Sequence, residues 1–358
     1  MKENLTKFNE HPIIIEDFNE IISDKVIPWP QFENSTILIT GATGLIGSVT
    51  AKLLLYASLY FNMNIKIYAI VRNIEKAKNI FKGQKKFWGE NIIFYEADVR
   101  QPLPYDLKAD YILHTASITS SIDFINNPVD VIRTTLDGTK NILELSLKNN
   151  SRSIVYISSM EIYGLLNHEL AHESDSGFID PLAIRSSYPQ SKRMAETLCA
   201  AYAAQYDLPV KIARPTLTFG AGVFDSDNRV YAQFARSVLT GSNIVLHTKG
   251  NTKRDYIYTS DAVRSILSIL LLGENGKAYN ISNPATYSTI YEMAQIVASL
   301  GEKSQVVFDC NDTIQKRYAP EIQIQLDCQE FNKLNKFPHK KLREMFVRMM
   351  AFMKDNLY

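Results

Sequence analysis

Residues 36–47 read Thr-Ile-Leu-Ile-Thr-Gly-Ala-Thr-Gly-Leu-Ile-Gly, a short β-branched strand that runs into a turn with three regularly spaced glycines. Gly41 permits a tight turn, Gly44 permits close approach of a pyrophosphate to the backbone, and Gly47 permits the next helix to pack against the strand. That helix is expected over residues 45–60, with its N-terminus facing the anion. The stretch therefore predicts a dinucleotide-binding site.

A second signal lies about 150 residues further on, where Tyr188 and Lys192 stand four residues apart in Ser-Ser-Tyr-Pro-Gln-Ser-Lys. Side chains at positions i and i+4 share one helix face, so the ammonium can favour the anion of a phenol whose pKa is ordinarily ~10. Ser159 follows the apolar strand 153–157. If Ser159 binds the same substrate oxygen, these groups suit removal of a hydroxyl proton while a hydride leaves for a nicotinamide.

The wider pattern of the chain is one of short apolar strands that alternate with helical stretches. Such alternation predicts an α/β fold with a doubly wound parallel sheet. A Gly/Asp/Asn-rich stretch follows at 220–229, with a short strand at 244–247, and the tail over 341–356 carries apolar residues at helical spacing, which predicts core packing. The predicted sheet strands span residues 65–71, 92–96, 111–114, 153–157 and 210–213.

Five motifs occur in the order seen in extended short-chain dehydrogenases/reductases, and from about residue 35 onward the chain resembles their nucleotide-sugar epimerases/dehydratases. The resemblance implies a Rossmann sheet with a smaller C-terminal α/β substrate lobe. The implied domains are an N-terminal extension (1–35), a dinucleotide-binding domain (36–217, with 257–283 returning to it) and a mainly nucleotide-sugar-binding lobe (218–358). The motifs are Thr40 to Gly47, Asp98-Val99, Ser158 to Gly164, Tyr188 to Lys192, and Arg254 to Tyr258.

The same resemblance implies three groups of site residues, and none of them is a metal ligand. The implied catalytic residues are Ser159, Glu161, Tyr188 and Lys192. The implied cofactor contacts are Gly41, Thr43, Gly44, Leu45, Ile46, Gly47, Arg72, Asp98, Val99, Thr115, Ala116, Ser117, Tyr188 and Lys192. The implied substrate contacts are Ser159, Arg229 and Arg254, the last of which suits a diphosphate because its planar fork matches phosphate oxygens.

The end of the second strand bears on the choice between NAD and NADP. An acid there binds the ribose 2′-hydroxyl, whereas an arginine accommodates a 2′-phosphate. This chain reads Val71-Arg72-Asn73, with Lys76 one helical turn beyond. NADP is therefore slightly favoured over NAD, although an arginine can also stack on adenine without binding a phosphate.

The resemblance implies oxidation of a sugar at C4, after which the 4-ketone acidifies the C5 proton or labilises a C5 carboxylate. Glu161 occupies a position where 4,6-dehydratases keep a base and where UDP-glucuronate decarboxylases also keep a glutamate, so decarboxylase- or dehydratase-like chemistry at C5 is predicted. Met160 replaces the aspartic acid with which 4,6-dehydratases protonate the leaving C6 hydroxyl. The stretch from Arg185 to Arg193 resembles the decarboxylases.

Two departures from the decarboxylase pattern leave other functions open. Ser159 replaces the usual threonine, and Leu217 replaces an asparagine common after Arg214-Pro215. The alternative functions are a nucleotide-sugar 4-epimerase and an unusual dehydratase. A non-catalytic dinucleotide-binding regulatory protein is an alternative of another class, although the presence of Ser159, Tyr188 and Lys192 together favours an enzyme.

Composition limits the partners of the 358-residue chain. A formal net charge of +1 gives no case for nucleic acid, and its three cysteines lack the spacing of a zinc site or a disulfide framework. The apolar stretch 53–61 is too short to span a bilayer, and the N-terminus lacks a signal-peptide pattern, so a cytoplasmic protein without membrane partners is predicted. The resemblance implies a homodimer built on a four-helix bundle, to which Leu136, Leu143 and Tyr202 could contribute.

Overall fold

A computed structural model describes residues 8–104, 106–310, 321–337 and 339–356. Its centre is a seven-stranded sheet whose strands are β1 (Ser35–Thr40), β2 (Ile65–Val71), β3 (Ile92–Glu96), β4 (Tyr111–His114), β5 (Ser153–Ile157), β7 (Val210–Pro215) and β11 (Ala278–Ile281). They lie in the order β11-β7-β5-β4-β1-β2-β3, and every pairing is parallel. The doubly wound parallel sheet that the sequence predicts is thus confirmed.

The strand order reverses beside β1, which pairs with β2 on one side and with β4 on the other. In open α/β sheets a crevice forms at this reversal, outside the carboxyl ends of the strands. The helix Leu45–Phe61 leaves β1 there, one residue longer than expected. The main helices along the chain span Pro12–Ile22, Leu45–Phe61, Ile74–Ile80, Asp123–Asn126, Pro128–Asn149, Ser187–Tyr206, Val230–Leu239, Thr259–Leu272, Ile290–Ala298, Gln329–Leu334 and Leu342–Asn356.

Two smaller sheets lie beyond the central one. Their strands are β6 (Leu170–Ala171), β8 (Leu217–Phe219), β9 (Ile244–Leu246), β10 (Lys253–Tyr258), β12 (Asn283–Thr289), β13 (Val306–Phe308) and β14 (Gln323–Leu326). The larger sheet has the order β12-β10-β14-β6, with β8 paired to β10, and the smaller joins β9 and β13. The predicted strand at 244–247 is observed as Ile244–Leu246.

The C-terminal helix contributes to the core, as its apolar spacing predicts. Phe346, Met349 and Met353 are fully buried, and the Phe346 ring packs 4.8 Å from that of Phe219. The N-terminal helix Pro12–Ile22 packs beside it, where Arg348 donates to Asp17 at 2.8 Å. The extension is therefore tied to the far end of the chain.

The helices Pro128–Asn149 and Ser187–Tyr206 pack against each other on one face of the central sheet. Leu143 is only 1% exposed and lies in the core of the chain, so its expected place in a subunit interface is wrong. The large apolar side chains that the two helices leave exposed are Val129, Ile132, Met194 and Tyr206.

The described ranges contain neither a membrane-spanning helix nor a metal-binding cluster. None of the helices in those ranges is long and apolar enough to cross a membrane. Within the same residues, no group of three or more histidine, cysteine, aspartate or glutamate side chains is arranged to hold a metal ion.

Candidate active site

The glycine loop closes tightly over the end of β1. Gly41 has φ +67°, and a Cβ added to it would lie 2.8 Å from the backbone of Ala116. A Cβ on Gly47 would lie 2.5 Å from the Gly41 carbonyl oxygen, whereas one on Gly44 would meet only that oxygen, at 3.3 Å. Gly41 and Gly47 are therefore required for packing, while Gly44 leaves the backbone open toward the cleft. Thr43 lies in the turn between them, where the Gly44 N–H donates to the Gly41 carbonyl at 2.9 Å.

The first turn of the helix Leu45–Phe61 faces this opening. Its N-cap is Gly44, which offers no side chain to the first backbone N–H groups of the helix. Leu45, Ile46 and Gly47 line the cleft together with Gly44. Uncapped N–H groups and the positive end of the helix dipole make such a terminus suited to a phosphate.

The segment after β4 supplies polar atoms to the same cleft. Thr115 donates through Oγ1 to the Thr40 carbonyl oxygen at 2.6 Å, and the Ala116 N–H donates to Thr40 Oγ1 at 3.2 Å. Ser117 Oγ and Ser158 Oγ are buried and have no hydrogen-bond partner among the described residues. Buried polar atoms are usually partnered, so these two hydroxyls fit a polar ligand such as the nicotinamide half of a dinucleotide.

A cleft of about 1070 Å³ connects the glycine loop with the residues proposed for catalysis. Tyr188 is only 6% exposed, and its ring stacks on Phe124 with centroids 4.4 Å apart and an interplanar angle of 8°. Lys192 donates through Nζ to the Ile157 carbonyl oxygen at 2.7 Å, and this nitrogen lies 5.8 Å from the Tyr188 ring centroid. Tyr188 and Lys192 therefore share one face of their helix, as their spacing predicts.

Burial dominates the electrostatics of this pair. It raises the pKa of Tyr188 above its usual value, and the negative charge of Glu161 raises that pKa further, while the Ser159 hydroxyl and the charge of Arg229 oppose the rise. Burial also lowers the pKa of Lys192 to about 7. Desolvation of the buried phenol therefore opposes the expected stabilisation of its anion by Lys192.

Ser159 caps a short 3₁₀ turn that carries Glu161. The Glu161 N–H donates to Ser159 Oγ at 3.2 Å at the start of the turn Met160–Tyr163. Ser159 and Glu161 both line the cleft. Met160 is 4% exposed, and its sulfur accepts a hydrogen bond from Thr216 Oγ1 at 3.2 Å. The turn therefore offers a hydroxyl and a carboxylate, with a thioether between them that cannot donate a proton.

The two arginines predicted to bind substrate both line the cleft, and they differ in their partners. Arg229 is paired with Asp227, because its Nε donates to Asp227 Oδ1 at 3.0 Å and to Oδ2 at 3.1 Å. Arg254 lies on β10, and its Nε is buried without a hydrogen-bond partner among the described residues. A guanidinium whose buried Nε has no partner fits an anionic ligand better than one already paired.

Three of the predicted cofactor contacts lie away from the residues that line this cleft. Arg72 is exposed just after β2, and its positive charge helps to lower the pKa of Asp98, after the larger effect of the hydrogen bonds from Arg100. Val99 is buried, and a Cβ built on Gly138 would lie 3.0 Å from its side chain. The three residues lie at the β2–β3 end of the sheet, where the adenosine half of a dinucleotide would be expected.

Several lining residues were not predicted from the sequence. Phe124 and Arg185 line the cleft together with Tyr188, and so does the loop 247–252. Arg185 begins the stretch from Arg185 to Arg193 that resembles the decarboxylases, three residues before Tyr188, which is a local signal. Phe124 lies 64 residues before Tyr188, so nothing local indicates their stacking.

The sheet, the glycine loop and the Ser-Tyr-Lys constellation define a dinucleotide-dependent short-chain dehydrogenase/reductase fold. A family model described as the NAD dependent epimerase/dehydratase family matches residues 37–282. UDP-glucuronic acid decarboxylase 6 of Arabidopsis thaliana is 34% identical over 275 residues, covering 75% of this chain and 74% of the relative. The chain belongs to the NAD dependent epimerase/dehydratase family, which confirms the resemblance.

Other comparisons agree on the family and the fold. UDP-glucuronic acid decarboxylase 1 of Danio rerio is 31% identical over 294 residues, which cover 80% of this chain but only 66% of the relative. A solved UDP-glucose 4-epimerase from Thermotoga maritima superimposes with a TM-score of 0.74 at 19% identity, covering 90% of this chain and all of that one. A dTDP-glucose 4,6-dehydratase from Streptomyces venezuelae superimposes with a TM-score of 0.73 at 21% identity, covering 90% of this chain and 97% of that one. At these identities the two structures show a shared fold.

Proposed function

We propose that this protein is an NAD- or NADP-dependent enzyme that oxidises a nucleotide sugar at C4 and then performs chemistry at C5, in the manner of a UDP-glucuronate decarboxylase. The observation that carries the proposal is the common cleft that Ser159, Glu161 and Tyr188 line. The cleft brings together the hydroxyl groups of Ser159 and Tyr188, which can bind and deprotonate a sugar hydroxyl, and the Glu161 carboxylate, which can transfer a proton at the neighbouring carbon. Relatives named UDP-glucuronic acid decarboxylase, at 31% and 34% identity, support a uronate as the substrate.

Each residue has a distinct task in this proposal. Tyr188 removes the proton from the C4 hydroxyl, Ser159 holds the same oxygen, and Lys192 supplies positive charge near the phenol. A bound dinucleotide would supply the nicotinamide that accepts a hydride from C4 and would return it after the chemistry at C5. The ketone at C4 then stands β to the C6 carboxylate, so the C5–C6 bond can break, CO₂ leaves, and C5 takes up a proton. Glu161 is the carboxyl group proposed to manage proton transfer at C5.

Met160 favours decarboxylation over 4,6-dehydration. Loss of the C6 hydroxyl as water requires a proton donor, and the buried thioether of Met160 has none to give. Decarboxylation releases CO₂ and has no such requirement. Met160 is therefore compatible with decarboxylation and poorly suited to 4,6-dehydration.

A panel of nucleotide sugars, analysed by mass spectrometry of the products, tests the reaction. UDP-glucuronate is expected to yield a UDP-pentose and CO₂. A product of unchanged mass would instead support the 4-epimerase, and loss of water from a UDP- or dTDP-hexose would support a dehydratase. Absence of turnover with every sugar, together with intact dinucleotide binding, would support the regulatory protein.

We further propose that Arg72 makes NADP the preferred dinucleotide, through a charge-assisted hydrogen bond to the 2′-phosphate. Arg72→Ala should weaken NADPH binding by about 1.5 to 3 kcal/mol and barely alter NADH binding. Calorimetry with both dinucleotides measures the difference, and Arg72→Lys is the control that keeps the charge. Equal losses for the two dinucleotides would show that Arg72 stacks or packs without binding a phosphate.

A homodimer is proposed on the helices Pro128–Asn149 and Ser187–Tyr206, which leave Ile132 and Met194 exposed by 38% and 52%. Light scattering of the wild-type protein should report a dimer at micromolar concentration. The double substitution of Ile132 and Met194 by glutamate should yield monomers, because charges buried in an apolar interface are costly. Val347→Glu, at an exposed position of the C-terminal helix, is the matched control. A monomeric wild-type protein would refute the proposal.

A further inference from the structure

Three arginines line the cleft, within the part of the chain that the structure describes, and one of them has no assigned ligand. Arg229 is paired with Asp227, and Arg254 is proposed for the diphosphate. The Arg185 guanidinium forms no hydrogen bond with any described residue. Its nearest carboxylate contact is an Nη2-to-Oε1 distance of 4.0 Å to Glu161, which is too long for a hydrogen bond. Arg185 therefore retains its donors for a ligand.

The position of Arg185 places these donors beside Tyr188 and Glu161, where the sugar is proposed to react. The residue lies in the 3₁₀ turn Ile184–Ser186, which leads directly into the helix that carries Tyr188. Its guanidinium carbon lies 5.7 Å from the ring centroid of Phe124, the same ring that stacks on Tyr188. Contact with an aromatic ring fixes the planar group while leaving its edge N–H groups available. Arg185 thus borders both Tyr188 and Glu161.

The charges of Glu161 and Arg185 affect which sugar the cleft can bind. Glu161 places a carboxylate near Tyr188, where its charge already acts on the phenol. A sugar that carries its own carboxylate would add a second anion to this region and would be repelled by Glu161. A sugar with a neutral C6 hydroxymethyl group meets no such repulsion. Arg185 can offset the second anion, because its Nη2 lies 4.0 Å from Glu161 Oε1 and the described residues form no hydrogen bond with its guanidinium.

We propose that Arg185 is a specificity-determining residue that binds the sugar carboxylate of a nucleoside-diphosphate uronate, an inference that rests on the proposed function. The guanidinium fork matches the two carboxylate oxygens and can donate two parallel hydrogen bonds. Arg185 then selects uronates over neutral hexoses. It also holds the carboxylate beside the groups proposed to act at C4 and C5.

Calorimetry with two ligands that differ at C6 tests the role of Arg185. UDP-glucuronate carries the carboxylate and UDP-glucose does not, and a Tyr188→Phe background prevents turnover during the titration. Arg185→Gln should weaken UDP-glucuronate about 10- to 100-fold and leave UDP-glucose nearly unchanged. Arg185→Lys, which keeps the charge but loses the fork, should fall between Gln and the parent protein. Arg152→Gln, an exposed arginine paired with Asp110, is the matched control.

The outcomes separate this inference from the proposed reaction. Equal losses for both ligands, or no loss for UDP-glucuronate, would overturn the role of Arg185 whatever product the wild-type enzyme forms. A selective loss for UDP-glucuronate supports that role even if the wild-type product proves to be the 4-epimer. In that case the decarboxylase proposal fails while uronate recognition by Arg185 stands. Unchanged thermal unfolding of Arg185→Gln verifies that the fold is intact.

Discussion

Tyr188→Phe is expected to lower turnover by ~10² or more while leaving dinucleotide binding nearly intact. The substitution removes only the phenolic oxygen, so the ring can keep its stacking on Phe124 at 4.4 Å. What is lost is the group proposed to take the C4 hydroxyl proton. Steady-state kinetics on the best nucleotide sugar, with calorimetry of the cofactor, measures the two effects separately.

The pKa of Tyr188 makes this test informative. Burial and Glu161 raise that pKa, so a bound ligand or the nearby cations must favour the phenolate before Tyr188 can act as a base. Tyr206→Phe, near the exposed C-terminal end of the same helix, is the matched control and should leave turnover unchanged. Wild-type turnover in Tyr188→Phe would reject its role as the proton-transfer group.

Glu161→Gln is expected to retain oxidation at C4 and to lose chemistry at C5. Glutamine keeps the size of the side chain but cannot take up a proton at neutral pH, so decarboxylation or dehydration should slow by ~10² or more. The first step does not require this carboxylate. Transient absorbance of the reduced dinucleotide should therefore still appear, and stopped-flow absorbance with product analysis measures both steps.

The control for this variant is Glu274→Gln, an exposed glutamate paired with Lys277 at 3.0 Å. It removes the same charge elsewhere on the surface and should not alter either step. Normal product at the wild-type rate in Glu161→Gln would show that the carboxylate is structural. The 4-epimerase would then become the leading proposal, because epimerisation requires only hydride return to the opposite face of the sugar.

Local sequence signals predicted much of the central sheet. The predicted strands at 65–71, 92–96, 111–114 and 153–157 have the observed bounds, because each is a short apolar run. The strands 111–114 and 153–157 are buried along their whole length, as in a parallel sheet covered by helices. Strand β7 extends two residues past its expected end, through Arg214-Pro215. The smaller sheets were harder to predict, since β10 pairs with β8, β12 and β14 from distant parts of the chain.

The candidate site shows the same division between local and distant information. The spacing of Tyr188 and Lys192 predicted a shared helix face, and the structure places both beside one cleft. The stacking of Phe124 on Tyr188 depends on tertiary packing, so no local pattern indicates it. The sequence also could not predict that the pKa of Tyr188 is raised, because desolvation depends on how deeply the completed fold buries the phenol.

The most direct test of chemistry at C5 is the reaction of wild-type enzyme with UDP-glucuronate in D₂O, followed by NMR of the nucleotide-sugar product. The proposal predicts a UDP-pentose that carries deuterium at C5, because the proton replacing the lost carboxylate comes from an exchangeable group. Release of CO₂ should match product formation one to one. A product that retains its carboxylate and its original hydrogen at C5 would contradict chemistry at C5.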